Sequence, residues 1–321
     1  MVKVRHFTLV GVLLTLLVLA ACGQSAGTTP APQATAAAPA APAATQVPQA
    51  TAAPAATAAP AATAAPEATA APEATAAPAA GAGQPAADLK GRKLVIGSDT
   101  TYPPMEYVDD SKQIVGFDVD MMNEIAKRTN SQVEFRTFPN FDAIFAALAN
   151  KEFDMVVSSV SITDERKKII AFSDPYLSVG QAITVAAGNT AIKTADDLKN
   201  VKLVGVQGGT TGEEAAKKAG VPEAQIKRYD TIDLAFQDLA NGAVDAVVAD
   251  GPPSVSYASK SNGKIETVGQ PFTTEDYGIA LQQGDTELLN AVNAALKQMK
   301  ADGSMQKLVE KWKLQTVAKL P

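Results

Sequence analysis

The sequence predicts an α/β fold of two similar lobes behind a long N-terminal stretch that builds no core, and three observations carry that prediction. From residue 93 onward, short apolar runs of strand type alternate with helical apolar spacing. A set of residues then recurs at a constant offset of 91: Asp142, Phe145, Leu148, Ala149, Asn150, Asp154, Val156 and Val157 return as Asp233, Phe236, Leu239, Ala240, Asn241, Asp245, Val247 and Val248. Each copy reads as a helix, a tight turn and a buried strand, so one supersecondary unit is used twice. Of the 321 residues, the first 87 do not read as folded protein, since beyond the apolar run of residues 7–21 the stretch 23–87 has almost no large apolar side chain. About 230 residues remain, enough for two modest cores.

The chain opens with Lys3 and Arg5 ahead of an apolar run over residues 7–21, which ends in Leu19-Ala20-Ala21-Cys22. This reads as a signal peptide over residues 1–21 rather than a membrane span. The cut resembles a bacterial lipobox, with Cys22, the only cysteine, as the lipid-modified N-terminus of the mature protein. The only histidine, His6, leaves with the signal. Ser-His and Cys-His nucleophiles and every His- or Cys-based zinc site are thereby excluded. Without Lys3 and Arg5, the 28 basic side chains become 26 against 34 acidic ones, a net charge near −8 that argues against nucleic acid as a partner.

Residues 22–87 follow as lipidated cysteine plus tether, rich in Ala, Pro and Thr and settling into a six-residue repeat such as Ala-Thr-Ala-Ala-Pro-Ala. Frequent proline prevents continuous helix, so the stretch is a low-complexity stalk with a reach of at most ~200 Å.

In the folded part, Lys93-Leu94-Val95-Ile96-Gly97 is a strand and Tyr102-Pro103-Pro104 enforces a loop. Asp99 and Tyr102 therefore lie past a strand's carboxyl end, the edge where open α/β sheets bind ligands; a loop cap and a rim aromatic are the plainer readings. Residues 116–127 have helical spacing, and Asp118 and Asp120 near the start suit the helix dipole. A strand over 133–138 and a helix over 141–149 lead to the apolar run Met155, Val156, Val157 and then to Ser158-Ser159-Val160-Ser161-Ile162-Thr163-Asp164-Glu165-Arg166. Ser161, three residues before Asp164, offers a helix cap. Arg166 then falls in the first helical turn, where a cation makes physical sense if a bound carboxylate shares the site; a solvent-facing arginine is the alternative.

The second lobe opens with the strand Lys202-Leu203-Val204-Gly205-Val206, then Gln207-Gly208-Gly209-Thr210-Thr211-Gly212 before a helix from Glu213. Glycines at a helix start let N–H groups approach an anion, and without a following lysine this is no nucleotide P-loop. The 91-residue offset places Asp250 at the position of Ser159. A carboxylate there, facing Arg166 across a cleft, would complement a ligand carrying both ammonium and carboxylate; a turn aspartate before Gly251-Pro252-Pro253 is the alternative. A strand over 277–281 and helices over 286–300 and 303–313 close the chain, their apolar faces suited to a core.

Gly116-Phe117-Asp118-Val119-Asp120-Met121, Ser161-Ile162-Thr163-Asp164-Glu165-Arg166 and Phe172-Ser173-Asp174-Pro175-Tyr176 together resemble the family 3 extracellular solute-binding proteins, receptors of polar amino acid ABC importers. The likeness spans residues 90–315. It implies a type II periplasmic-binding-protein-like fold, each lobe a mostly parallel sheet flanked by helices with the ligand cleft between. Lobe 1 would comprise residues 88–181 and 274–321, lobe 2 residues 182–273, joined near 179–182 and 272–276. The resemblance assigns the α-carboxylate to Arg166, helped by backbone near Ser161 and Thr211. It assigns the α-ammonium to Asp250 and the region of Ser158, Ser159 and Ser161, and the ligand side chain to a sandwich of Tyr102 and Phe141 with Asp99 at its polar end. Gln207 and Thr210 complete the expected ligand set. A cationic L-amino acid comes first as ligand, glutamine or another polar amino acid second. The implied partners are a membrane permease and the free ligand, with no cofactor, no metal, no catalysis and a monomeric state. A cyclohexadienyl-type dehydratase, with Asp99 or Glu106 as an acid, and a surface adhesin or sensor head are the rival classes.

Overall fold

The computed structural model describes residues 87–321. The signal peptide, Cys22 and all but the last residue of the tether lie outside the described residues. The chain begins with β1 (Lys93–Ser98), a small meander of β2 (Thr101–Tyr102), β3 (Glu106–Val108) and β4 (Ile114–Val115), then α1 (Phe117–Arg128), β5 (Gln132–Thr137), α2 (Phe141–Ala149), β6 (Met155–Val156), α3 (Asp164–Lys167), β7 (Ala171–Phe172) and β8 (Leu177–Val179). It crosses into β9 (Gln181–Ala186), β10 (Val204–Gln207), α4 (Thr211–Lys218), β11 (Ile226–Tyr229), α5 (Ile232–Ala240), β12 (Ala246–Asp250), α6 (Gly251–Lys260) and β13 (Ile265–Val268). It returns through β14 (Glu275–Tyr277) and β15 (Ala280–Leu281) and ends in α7 (Thr286–Ala301) and α8 (Ser304–Lys311).

Two five-stranded sheets result, ordered β5-β1-β6-β15-β7 and β11-β10-β12-β9-β13. Their plans coincide. In each, a central strand (β1 or β10) runs parallel to both neighbours, and one antiparallel strand (β15 or β9) separates the parallel block from the edge. The sequence repeat is visible in the same terms, because α5 begins and ends 91 residues after α2. Asp154 accepts a hydrogen bond from the Val95 amide at 2.8 Å, and its repeat partner Asp245 accepts from Lys202 and Leu203 at 2.8 and 2.9 Å. Each aspartate thus pins its strand to the central strand of its own sheet.

Both sheets are covered on their two faces. Phe141, Ile144, Phe145 and Leu148 of α2 pack with Val156, Val160 and Ile170 on the first sheet, while Ala215 and Ala216 of α4 pack with Ile183, Val204, Val206 and Val248 on the second. A larger cluster runs from Leu94, Ile96 and α1 through Tyr176 and Tyr277 to Leu288, Val292 and Leu296 of α7. The two crossovers lie side by side: β8 pairs antiparallel with β14, and Gln181 and Phe272 bond across them at 2.9 Å. Gly180 is required there, since a Cβ would collide with the Thr273 carbonyl.

Three local expectations change. The cap of α3 is Thr163, whose hydroxyl accepts from the Arg166 amide at 3.2 Å; Ser161 is instead bridged to Tyr277 and turned toward the cleft. Asp118 does not serve the dipole at the surface but is fully buried, holding the Ser159 amide and the Tyr176 hydroxyl at 3.0 Å each. The expected strand over 277–281 is broken into β14 and β15 at Gly278, where a side chain would press into Ile162 and Phe172.

Candidate functional site

The carboxyl ends of β1, β6, β10 and β12 all point to the seam between the sheets, where loops leave the strands and backbone groups lose their ladder partners. A narrow cavity of about 20 Å³ lies there. Asp99, Tyr102, Phe141, Ser158, Ser159, Ser161, Arg166, Gln207, Thr210, Thr211 and Asp250 all line it. The structure therefore brings together every residue singled out on the head domain, from both sheets.

Arg166 projects from α3 between the sheets. Its guanidinium donates to the Ser161 carbonyl at 2.9 Å and, across the seam, to the Gly209 carbonyl at 3.2 Å. It stacks on Phe141 and Phe145, 5.3 and 4.9 Å from their ring centres. Burial lowers its pKa to about 10, so it stays cationic at neutral pH. Nearby, α4 begins at Thr211 with Thr210 as N-cap, and the amides of its first turn have no intrahelical partner. A guanidinium held only by carbonyls and ring faces, next to a helix start, can accept an anion.

Asp250 is the last residue of β12 and is buried. Its carboxylate accepts from Tyr102 Oη at 2.6 Å, Tyr277 Oη at 2.7 Å and Gln181 Nε2 at 2.5 Å. Burial, then the neighbouring Glu275, raises it to about 7. Glu275 in turn accepts from Ser161 Oγ at 2.7 Å, Gln181 Nε2 at 3.1 Å and Thr273 Oγ1 at 2.8 Å. Tyr102 thus braces Asp250 as well as walling the cavity, and Phe141 carries Arg166 as well as facing it.

Asp99 is buried at the end of β1 and accepts from Gln207 Nε2 across the seam at 2.5 Å, and from the amide and hydroxyl of Thr101 at 3.1 and 2.8 Å. Burial raises its pKa, partly offset by the Gln207 and Thr101 hydrogen bonds. Its own amide donates to Ser158 Oγ at 2.9 Å. Ser161 Oγ and Thr211 Oγ1 meet across the seam at 3.3 Å.

Gln181, Glu275, Tyr277 and Ile232 act at the site and were missed in the sequence. Ile232 was recoverable, because the 91-residue offset carries Phe141 onto it. The other three lie in or beside the crossovers, where nothing in the local pattern marks a side chain as facing the cavity. Among the described residues no group of three or more His, Cys, Asp or Glu side chains is arranged to hold a metal.

The sequence profile of the bacterial extracellular solute-binding proteins, family 3, matches residues 94–315. A probable histidine-binding protein of Neisseria gonorrhoeae is 37% identical over 234 residues, covering 72% of this chain and 86% of its own. An ancestral arginine-binding protein, solved with arginine, superimposes with a TM-score of 0.66 at 43% identity, covering 68% of this chain and 97% of that one; an ancestral arginine-binding protein solved with glutamine superimposes with a TM-score of 0.65. An ancestral amino acid-binding protein described as a precursor of cyclohexadienyl dehydratase superimposes with a TM-score of 0.64 at 42% identity, covering 68% and 95%.

Proposed function

Since the chain belongs to the bacterial extracellular solute-binding proteins of family 3, we propose that it is the substrate-binding component of an ABC importer, which captures a cationic L-amino acid between its lobes and delivers it to a membrane permease. The observation that carries the cationic reading is the charge of the cavity. One guanidinium, Arg166, shares the cavity lining with three buried carboxyl groups, of which Glu106 is taken up by the Ser158 and Ser159 hydroxyls while Asp99 and Asp250 remain to oppose the guanidinium. An α-carboxylate on Arg166 and an α-ammonium on Asp250 leave Asp99 over, and a second cationic group on the ligand neutralises it. Ser161, Thr210 and Thr211 supply the surrounding donors, and the helix start adds its amides. The ligand is bound and released, with no bond made or broken, by closure of the lobes about residues 179–182 and 272–276. The protein works outside the cytoplasm as a monomer, held to the membrane through a lipid on Cys22 and the Ala/Pro/Thr tether.

Gln207 favours glutamine as the second reading, because its buried amide lines the same cavity and can pair with another amide. Isothermal titration of ligand-stripped protein against arginine, lysine, histidine, glutamine and glutamate separates the two. One-to-one binding of a cationic member, abolished by Asp99→Asn, is the expected result. Binding of glutamine that survives Asp99→Asn moves selectivity to Gln207. Failure of every amino acid, with turnover of a prephenate-like acid, would replace the receptor by a dehydratase.

A further inference from the structure

At the floor of the cavity, which Glu106 helps to line and Asp118 backs, lies a pair of acids outside the ligand contacts assigned above. Glu106 on β3 and Asp118 in the first turn of α1 are both buried, and their carboxyl groups face each other within hydrogen-bonding reach. Glu106 accepts from Ser158 Oγ at 3.2 Å and from Ser159 Oγ at 3.1 Å. Asp118 Oδ2 accepts from the Ser159 amide and from Tyr176 Oη, while Oδ1 is buried with no hydrogen-bond partner among the side chains as charged. Two ionised carboxylates cannot bond to one another, and an orphaned buried oxygen costs about 1–3 kcal/mol. A single proton on Glu106 resolves both difficulties, because its O–H can then donate to Asp118 Oδ1.

We propose that Glu106 and Asp118 share one proton and act as positioning residues of the ligand site, holding Ser158, Ser159 and, through Ser158, Asp99. Ser159 has a left-handed backbone, φ 50°, which costs a non-glycine residue about 1–2 kcal/mol and persists only where the surroundings fix it. Here its amide is fixed by Asp118 and its hydroxyl by Glu106. Ser158 passes the hold on, donating to Glu106 and accepting from the Asp99 amide, so the ends of β6 and β1 hang on one carboxylic acid.

The groups facing the pair are Asp99 from the end of β1, Tyr102 from β2, and Tyr176 from the segment before β8, with Asp250 of β12 acting on Tyr176 in turn. Burial first, then Asp118 and Asp99, pushes Glu106 well above the usual carboxylate range; burial raises Asp118 to about 6. With an amide and a phenol already donating to Asp118, the shared proton is placed on Glu106 and the charge on Asp118 at neutral pH. Removing that proton in alkali sets two buried charges against each other and releases the Ser158–Ser159 turn.

The proposal rests on the amino-acid receptor reading for one of its tests and not for the other. L-Arginine binding is measured by calorimetry from pH 7 to pH 10 for the parent, Glu106→Gln and Glu106→Ala. At pH 7 the alanine variant is expected to lose about tenfold or more in affinity, and glutamine, whose N–H replaces the O–H, to recover most of it. The ratio of parent to glutamine-variant affinity falls as pH rises, since only the parent has a proton to lose; titration of Asp250, Arg166 or the ligand cancels in that ratio. A constant ratio, or an alanine variant that binds like the parent, overturns the proposal. Independently of any ligand, the infrared difference spectrum between the parent and Glu106→Gln at pH 8 contains the C=O band of a protonated carboxyl group. Absence of that band shows Glu106 ionised and overturns the proposal even if arginine proves the wrong ligand.

Discussion

At Asp250, burial and the Glu275 carboxylate raise the acid to about 7, while the hydroxyls of Tyr102 and Tyr277 offset part of the rise. In the ligand-free protein this group adds stability below its unfolded value near 4, and the contribution is lost as pH rises through about 7. A ligand ammonium reverses the preference, because it binds the ionised form. Affinity is therefore expected to be level just above pH 7 and to fall below it, approaching tenfold per pH unit. Calorimetry at pH 6 in buffers of different protonation heat checks this by detecting a proton released on binding. Arg166→Ala is expected to cost about 2–5 kcal/mol of binding, since it strands the ligand carboxylate in a buried site; titration of that variant reads the loss directly. Arg166 could be singled out in the sequence because a cation at a helix start is an electrostatic anomaly. Glu275 and Gln181 carried no such anomaly: their meeting depends on two crossovers, 94 residues apart, lying side by side.

The α4 start shows how an element can be fitted to the neighbouring lobe. Gly209 has φ 71°, and a Cβ there would come within 2.6–2.9 Å of Asp142 at the start of α2, on the other side of the seam. Gly209→Ala adds backbone strain of about 1–2 kcal/mol and a wedge between the lobes. The expected outcome is at least tenfold weaker ligand binding with a smaller change in melting temperature, measured on the same preparation by titration and calorimetric scanning. Glu213, in the first turn of α4, anchors the same loop through the Gly209 amide at 3.1 Å and pairs with Arg228 and Lys217. Burial would raise its carboxyl, but the Arg228 hydrogen bond, then Lys217 and the Gly209 amide, bring it down to about 2. Its stabilisation is present above the unfolded value near 4.5 and lost as pH falls toward 2. Glu213→Gln should lower stability by about 1–3 kcal/mol at pH 7 and by roughly half of that or less at pH 3, as urea unfolding at the two values reads. Element bounds were largely legible, α2 to the residue, because apolar spacing and turn residues mark them. The cap of α3 was not: Ser161 and Thr163 are both hydroxyls at plausible distance, and only the bridge to Tyr277 decides between them.

For the whole molecule, the seam is crossed by direct hydrogen bonds: Gln207 to Asp99, Tyr102 to Asp250, Tyr257 to the Thr101 carbonyl at 2.7 Å, and Arg166 to the Gly209 carbonyl. A ligand that adds contacts to both sides shifts the population further toward this arrangement. Small-angle scattering is expected to give a smaller radius of gyration with ligand than without; an unchanged radius would mean that the lobes do not close on it. That two lobes exist was legible from the 91-residue repeat, and their common strand order was not, since the antiparallel strand of each sheet comes from a crossover rather than from the repeated unit. The repeat also bears on symmetry. Were the halves separate, identical subunits, their strand ends would meet about a two-fold axis and offer the same group to both ends of a guest. A zwitterion has unlike ends. Carried on one chain, equivalent positions are free to diverge, and here they have: serine at 159 and aspartate at 250, one blueprint giving a neutral hydroxyl in one lobe and a carboxyl group in the other.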